Sequence, residues 1–418
     1  MTRLLLPEMF GLIAIANVLI FGINMLSDFG LRQNLIQSNR GHAVSFLNTV
    51  WTVKIARGIV IWAFALVIAF GIYWMNLAHL WSAESVYSDP ALPYIIAILG
   101  FTAVIDGFES TKADTAGREL LLKRLTLIEI TSQLAGITMM VAWAWFDRSV
   151  WALVIGALFS DIIRTILTHT SLPGIRNRIH WDQEDFHEIF KFGKWVFVAS
   201  ILGFMASSGD RLVLGGLTDA TTLGLYSIAF LMWSAMREVI QKITGDVAFP
   251  AFSEVVRNRP ADLKKTYYKF RLPIDALSLF AAGMLFAAGD LIILILYDDR
   301  YADAGTMLQI LCVTFIAVRY ELVNQCFLAL GKPKLLVPLT VVGILALYGL
   351  LPVGYSHYGI NGALWMIVLS NFAALPLIFF YKNRYNILDI RKELFVLPIL
   401  PVGYGLGLVV HSIFDRLS

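Results

Sequence analysis

The chain has 418 residues, 58% of them hydrophobic and only 15% charged, with 11 Trp, a formal charge of +3 and a mean hydropathy of +0.71. A soluble domain carries roughly 25% charged residues; here runs of about 20 apolar residues, the length needed to cross a bilayer, recur from end to end and leave no room for separate soluble domains. The chain therefore reads as an integral membrane protein, and its charge is too small to point to nucleic acid.

Twelve runs qualify as spans: 9–27, 49–75, 91–111, 125–145, 149–168, 190–209, 222–242, 272–296, 304–330, 335–354, 361–380 and 394–412. The predicted fold is an all-α polytopic membrane protein of two pseudo-symmetric helical bundles around a central cavity. The first run is too long and too polar at its ends for a cleaved signal, and no small-residue cleavage site follows it.

Half of the chain is used twice. Gly11, Leu12, Ile15 and Ala16 return as Gly224, Leu225, Ile228 and Ala229 at an offset of 213, and Phe101, Ala103, Val104 and Gly117 return as Phe315, Ala317, Val318 and Gly331 at 214. The predicted division is 1–180 for a first lobe of five spans, 181–386 for a second of six, and 387–418 for an additional span. Lys and Arg set the orientation: links after odd-numbered spans hold 25 of them and the alternate links 3, so the basic links are cytoplasmic. That places Asn76, Thr218 and His357 outside and Gln33, Asn177 and Asn258 inside. Met1 then lies outside, just before a span with no preceding helix, whereas the counterpart near Gly224 follows the helix of 194–208. The expectation is a further apolar helix upstream in the natural reading frame.

Two cytoplasmic links, 174–192 and 251–271, mix aromatic and charged residues at loosely helical spacing. They read equally as helices on the membrane surface or as solvated connectors. His169, His180 and His187 match no metal-ligand spacing. Cys312 and Cys326 share one apolar run 14 residues apart, about 21 Å along a helix, and read as reduced packing residues. The outer links are too short for a catalytic domain, and Asp298-Asp299 reads as a turn cap rather than a metal pair. No enzyme motif, metal site or cofactor is expected.

Charge inside the bilayer costs about 2.5–3.5 kcal/mol per group, so each such residue is a site candidate. Asn17, Asn24 and Asp28 share one face of the first span, assigned either to a lumen or to helix-to-helix hydrogen bonds. Lys54 and Arg57 lie one turn apart in span two, Arg57 too deep to reach water comfortably. Asp106 and Glu109 share a face of span three, with Glu129 in span four and Asp161 and Arg164 at i,i+3 spacing in span five. Arg319 falls near the middle of span nine with Glu321 and Asn324 close by, and Arg237 and Lys242 sit near the cytoplasmic end of span seven. By the repeat, Asp106 and Glu109 are expected opposite Arg319, as a static ion pair or as a moving part. Read alone, these residues describe a transporter of something anionic.

The stretches RLLLPEMFGLIAIANVL (3–19), LSDFGLRQNLIQ (26–37), FGKW (192–195), GDRLVLG (209–215), LGLYSIAF (223–230) and AFPAFSEV (248–255) resemble, in order and spacing, the Wzx-type flippases of the multidrug/oligosaccharidyl-lipid/polysaccharide exporter superfamily. The likeness covers most of the chain and weakens after about residue 335. It implies two six-helix lobes and export of undecaprenyl-pyrophosphate-linked oligosaccharide across the bacterial cytoplasmic membrane, with membrane lipids and polysaccharide polymerase machinery as partners. Under it, Arg57, Arg319, Lys54, Arg237, Lys242, Asn17 and Asn24 become substrate-binding residues, and Asp28, Asp106, Glu109 and Glu321 coupling or gating ones. The alternatives are a cation-coupled drug antiporter relying on Asp106, Glu109 and Glu129, and a membrane glycan polymerase or ligase, which usually needs a large outer loop.

Overall fold

Apolar segments can satisfy their backbone in hydrocarbon only as helices or closed barrels. The computed structural model describes residues 5–26, 43–82, 85–119 and 121–417, with backbone alone for 26, 118, 184, 185, 187–199, 246, 415 and 417, and among these it contains no strand. The first half runs through α1 (Pro7–Leu26), α2 (Val44–Leu77), α3 (Leu92–Gly100), α4 (Thr102–Gly107), α5 (Lys112–Arg118), α6 (Leu122–Phe146), α7 (Trp151–Thr170) and α8 (Gln183–Leu217). The second begins with α9 (Ala220–Lys242), a π-helical turn (Ile243–Ala248), α10 (Phe249–Asn258), α11 (Leu263–Leu296) and α12 (Ala302–Cys312). It ends with α13 (Phe315–Val318), α14 (Leu322–Ala329), α15 (Leu336–Phe372), α16 (Leu375–Arg384), α17 (Ile390–Phe395) and α18 (Ile399–Leu417).

Among the described residues nine stretches are long and apolar enough to cross a membrane, with Leu92–Gly107 as a shorter apolar one, so the all-α polytopic expectation holds. The chain forms two compact units, Met1–Leu223 and Gly224–Ser418. Helix α8, grouped with the second lobe in the sequence reading, packs against α1 in the first unit. A Cβ on Gly22 would stand 2.5 Å from the Phe204 ring, and one on Gly215 2.3 Å from Ile15.

Each unit repeats three devices. The first is a 34-residue helix, α2 in one and α11 in the other. At about 51 Å each, these overshoot a hydrocarbon core of about 30 Å. They also start earlier than predicted, at Val44 and Leu263; at the start of α2 the polar residues have partners in the fold, Ser45 with His180 and Asn48 with the Arg178 N–H. The second device is a helix pair in backbone contact through glycine. A Cβ on Gly136 (α6) would lie 2.8 Å from the Gly156 carbonyl oxygen (α7), and one on Gly354 2.6 Å from that of Gly362. Gly354 and Gly362 both belong to α15, which turns back on itself at Tyr358 and Gly359, the latter with φ +60°.

The third device is a broken span. Helices α3 and α4 part at Phe101, and α12 and α13 part at Val313 and Thr314; at each break a threonine hydroxyl, Thr102 or Thr314, donates to the carbonyl three residues back at 2.7 Å. The sequence had read both as continuous helices. Apolar composition reports burial, and breaks of one or two residues leave no mark on it.

The 174–192 link begins as an extended strap across α2. There the side chains of Asn48, Thr52 and Thr49 accept from the backbone N–H groups of Arg178 (3.0 Å), His180 (3.0 Å) and Asp182 (3.2 Å). In the second unit α18 lies on α11 along a glycine seam. A Cβ on Gly283 would stand 2.2 Å from the Leu400 carbonyl oxygen, and one on Gly403 2.5 Å from that of Phe280. Asp290 of α11 closes this seam, bonded to Gln309 (3.1 Å) and His411 (3.1 Å).

Candidate functional site

Broken helices at matching positions of two repeats are the best structural pointer to a transport site in membrane proteins of this kind. In both units the predicted charged residues gather around the break.

In the first unit α2 meets α4 backbone to backbone. A Cβ on Gly58 would lie 2.2 Å from the Ala103 carbonyl oxygen, and one on Gly107 2.9 Å from that of Lys54. That approach sets Lys54 beside the chain leaving α4, where its ammonium is 3.3 Å from Asp114 and 3.8 Å from Glu109. Asp106 is paired with Arg164 of α7, which lies 3.6 Å from Asp161 on its own helix. Four carboxylates thus surround two cations, and Asp106, at 44% exposure, is the most open of them. One turn beyond Lys54, half-buried Arg57 donates to the Asn24 backbone carbonyl at 2.9 Å and ties α2 to the end of α1. Asn24 itself donates to the Ile20 carbonyl (3.1 Å), and Asn17 is exposed. Asp28 lies outside the described residues.

In the second unit Arg237 of α9 pairs with Glu321 (2.6 Å) and lies 5.2 Å from the Trp233 ring, whose indole N–H donates to Thr314 at the break (2.7 Å). Lys242 stays on the surface in an i,i+4 pair with Glu238 (3.1 Å). Arg319 differs from the expectation. It is 3% exposed, its guanidinium lies 3.4 Å from Asp275 of α11 and donates to the Tyr320 hydroxyl and the Ile316 carbonyl. Asp106 and Glu109, expected opposite Arg319, take their partners Arg164 and Lys54 within their own unit. A buried guanidinium needs a carboxylate fixed by the same packing that buries it, and Asp275 supplies that.

Asp275 belongs to a cluster that sequence reasoning missed. Arg271 lies 2.9 Å from Asp275 and 2.5 Å from Glu393 of α17, and Lys382 of α16 also contacts Glu393. The Tyr268 hydroxyl donates to Glu393 (2.7 Å), and Arg271 donates to the Tyr267 hydroxyl (2.8 Å). Arg271, Lys382, Asp275, Arg319 and Glu393 are all between 0 and 5% exposed. The cluster therefore buries three cations against two carboxylates, the reverse of the first unit's balance. Two signals could have found it: the i,i+4 spacing of Arg271 and Asp275, and the position of Arg271 exactly one repeat offset, 214 residues, after Arg57.

The remaining sequence candidates are accounted for locally. Glu129 accepts from Gln133 (2.7 Å), Asp298 caps the turn at Asp299–Tyr301, and both cysteines are free and buried. Among the described residues no three His, Cys, Asp or Glu side chains gather as a metal would require.

The family model described as polysaccharide biosynthesis protein matches residues 1–306. The chain belongs to this family. Among its curated relatives, the lipopolysaccharide biosynthesis protein WzxC of Escherichia coli (strain K12) is 21% identical over 99% of this chain and 83% of that protein. The amylovoran biosynthesis protein AmsL of Erwinia amylovora is 22% identical over 57% of this chain and 65% of that one. Two solved structures share the fold of this family member. One is an inward-facing multidrug resistance MATE family transporter of the MOP superfamily (TM-score 0.70, 14% identity, 91% of each chain). The other is the lipid II flippase MurJ in an inward closed conformation (TM-score 0.69, 12% identity, 99% of this chain and 93% of that one).

Proposed function

We propose that this polysaccharide biosynthesis family member is a flippase of the bacterial inner membrane. It moves an oligosaccharide repeat unit linked to undecaprenyl pyrophosphate from the cytoplasmic to the outer leaflet by alternating access, without catalysis, and hands it to polymerase machinery. Family membership over residues 1–306, combined with a fold shared with transporters, carries the reading. A pyrophosphate cannot cross hydrocarbon bare, and guanidinium groups hold it through paired, charge-assisted hydrogen bonds. Arg57 and Lys54 on α2, with Arg237 towards the cytoplasmic side, are the proposed contacts; Asn24 positions Arg57, and Arg319 braces the second unit's broken helix. The Asp106, Glu109, Asp114 and Asp161 cluster is the proposed coupling element, since four carboxylates against two cations can take up protons or cations as the lobes rearrange.

That cluster also favours a second reading, a cation-coupled antiporter of cationic compounds. The experiment uses proteoliposomes loaded with a fluorescent lipid-linked oligosaccharide and an added impermeant glycosidase. Time-dependent growth of the cleavable fraction in wild type, absent with Arg57→Ala, is the expected result. A flat response together with export of a cationic dye would overturn it in favour of the antiporter.

A further inference from the structure

Helix α17 is the part of the second unit that the transport reading does not use. Its six residues, Ile390–Phe395, stand between α16 and α18 on a link whose basic character assigns it to the cytoplasmic side. Its inner side chain is Glu393, seated among Arg271, Lys382 and Tyr268. A second tie fixes the start of the helix, where the Asp389 N–H donates to the Tyr268 hydroxyl at 2.8 Å. Its outer side is mixed. Ile390, Leu394 and Phe395 are 65, 57 and 79% exposed, and Arg391 and Lys392 stand exposed among them. From 382 to 395 the chain exposes Arg384, Arg391 and Lys392 and no carboxylate, because Glu393 is buried and Asp389 is half-buried with its side chain turned to the Lys392 N–H (3.4 Å). Lys392 also reaches over the Tyr268 ring of α11 (5.1 Å), and on that helix Lys265 and Lys269 are exposed one turn apart.

We infer that α17 and its flanks form a binding site for an anionic phospholipid of the cytoplasmic leaflet. The acyl chains lie against Ile390, Leu394 and Phe395 and the headgroup phosphate against Arg391, Lys392 and Arg384. A partner for this surface must be apolar on one side and negatively charged a few ångströms away, at the level where a membrane-spanning helix begins. A soluble anion lacks the first property and a zwitterionic lipid the net charge. The same six residues carry Glu393 inward, so a bound lipid holds one of the two carboxylates of the buried cluster in its seat. The inference is independent of what the protein transports.

Its test mixes the full chain, in neutral detergent, with equal amounts of phosphatidylglycerol and phosphatidylcholine and measures the retained lipids by mass spectrometry. Wild type is expected to retain phosphatidylglycerol preferentially, unaffected by excess inorganic phosphate. Arg391→Gln with Lys392→Gln removes two charges that each contribute about 1 kcal/mol at an anionic surface, so affinity for phosphatidylglycerol should fall about 30-fold while the lipid-free protein keeps its helical circular-dichroism spectrum. Phe395→Ser should weaken retention of both lipids, and Arg257→Gln with Arg259→Gln, exposed elsewhere on the same side, should change neither. Equal retention of the two lipids, a silent Arg391/Lys392 variant, or displacement by inorganic phosphate would each overturn the inference.

Discussion

Replacing Glu393 by Gln is the sharpest test of the buried cluster. Glu393 accepts from Tyr268 at 2.7 Å, lies 2.5 Å from Arg271 and contacts Lys382, so its buried charge faces two cations. Glu393→Gln leaves Arg271, Arg319 and Lys382 with Asp275 as their only carboxylate among the described residues. Breaking a buried pair in this way costs about 3–5 kcal/mol. Lys382→Met should behave oppositely. It removes the surplus cation, keeps the volume, leaves Glu393 with Tyr268 and Arg271, and brings the cluster to two charges of each sign, for a cost of about 1 kcal/mol or less. The assay is unfolding of the purified protein in mixed micelles, followed by tryptophan fluorescence against the fraction of denaturing detergent. If Lys382→Met proves as damaging as Glu393→Gln, the charge imbalance is not what governs the cluster and the reasoning fails.

Three further outcomes are expected. Arg57→Ala should abolish translocation of lipid-linked oligosaccharide while leaving protein level and insertion intact, and Arg57→Lys should recover part of it; normal transport by the alanine variant would remove Arg57 from the path. Gly58→Val forces a side chain against the Ala103 carbonyl, 2.2 Å from where its Cβ must sit, and should cost about 1–3 kcal/mol or more, whereas Gly71→Ala, with nothing within 4 Å, should be silent in the same unfolding assay. Single cysteines at Asp219 and His357 should react with an impermeant maleimide from outside, and ones at Arg176 and Asn258 should not. Asp219 and Arg176 replace Thr218 and Asn177 here, because Thr218 is 2% exposed and Asn177 is bonded to Ser110 and Thr111, so a cysteine at either would report packing as well as sidedness.

Spans were legible because burial in lipid demands long apolar helices, and among the described residues all twelve predicted runs fall mainly on helix. Pairs within one helix, or between adjacent stretches on it, were legible for the same reason: Asp161 with Arg164 follows from i,i+3 spacing. Partners across helices were not. Arg319 carried an obvious need for a carboxylate, but Asp275 sits on another helix beside basic residues that had already been explained as topology signals, as did Lys382 and Glu393. A charge count assigns such residues to a side of the membrane and is blind to which of them turn inward. The broken spans at Phe101 and Thr314 were hidden for a different reason: a threonine that caps a break is also an ordinary residue inside a continuous helix.

The glycine seam between α11 and α18 leaves no side chain between the two backbones that could yield. Where helices touch through Gly283 and Gly403, sliding or tilting one against the other meets hard contact at once, and Asp290 pins the outer half to His411. Helix α18 is therefore a rigid splint on α11. A spectroscopic label placed on its lipid-facing side, at Val409 or Ile413, will report any motion of α11 without touching a single residue of the charged clusters.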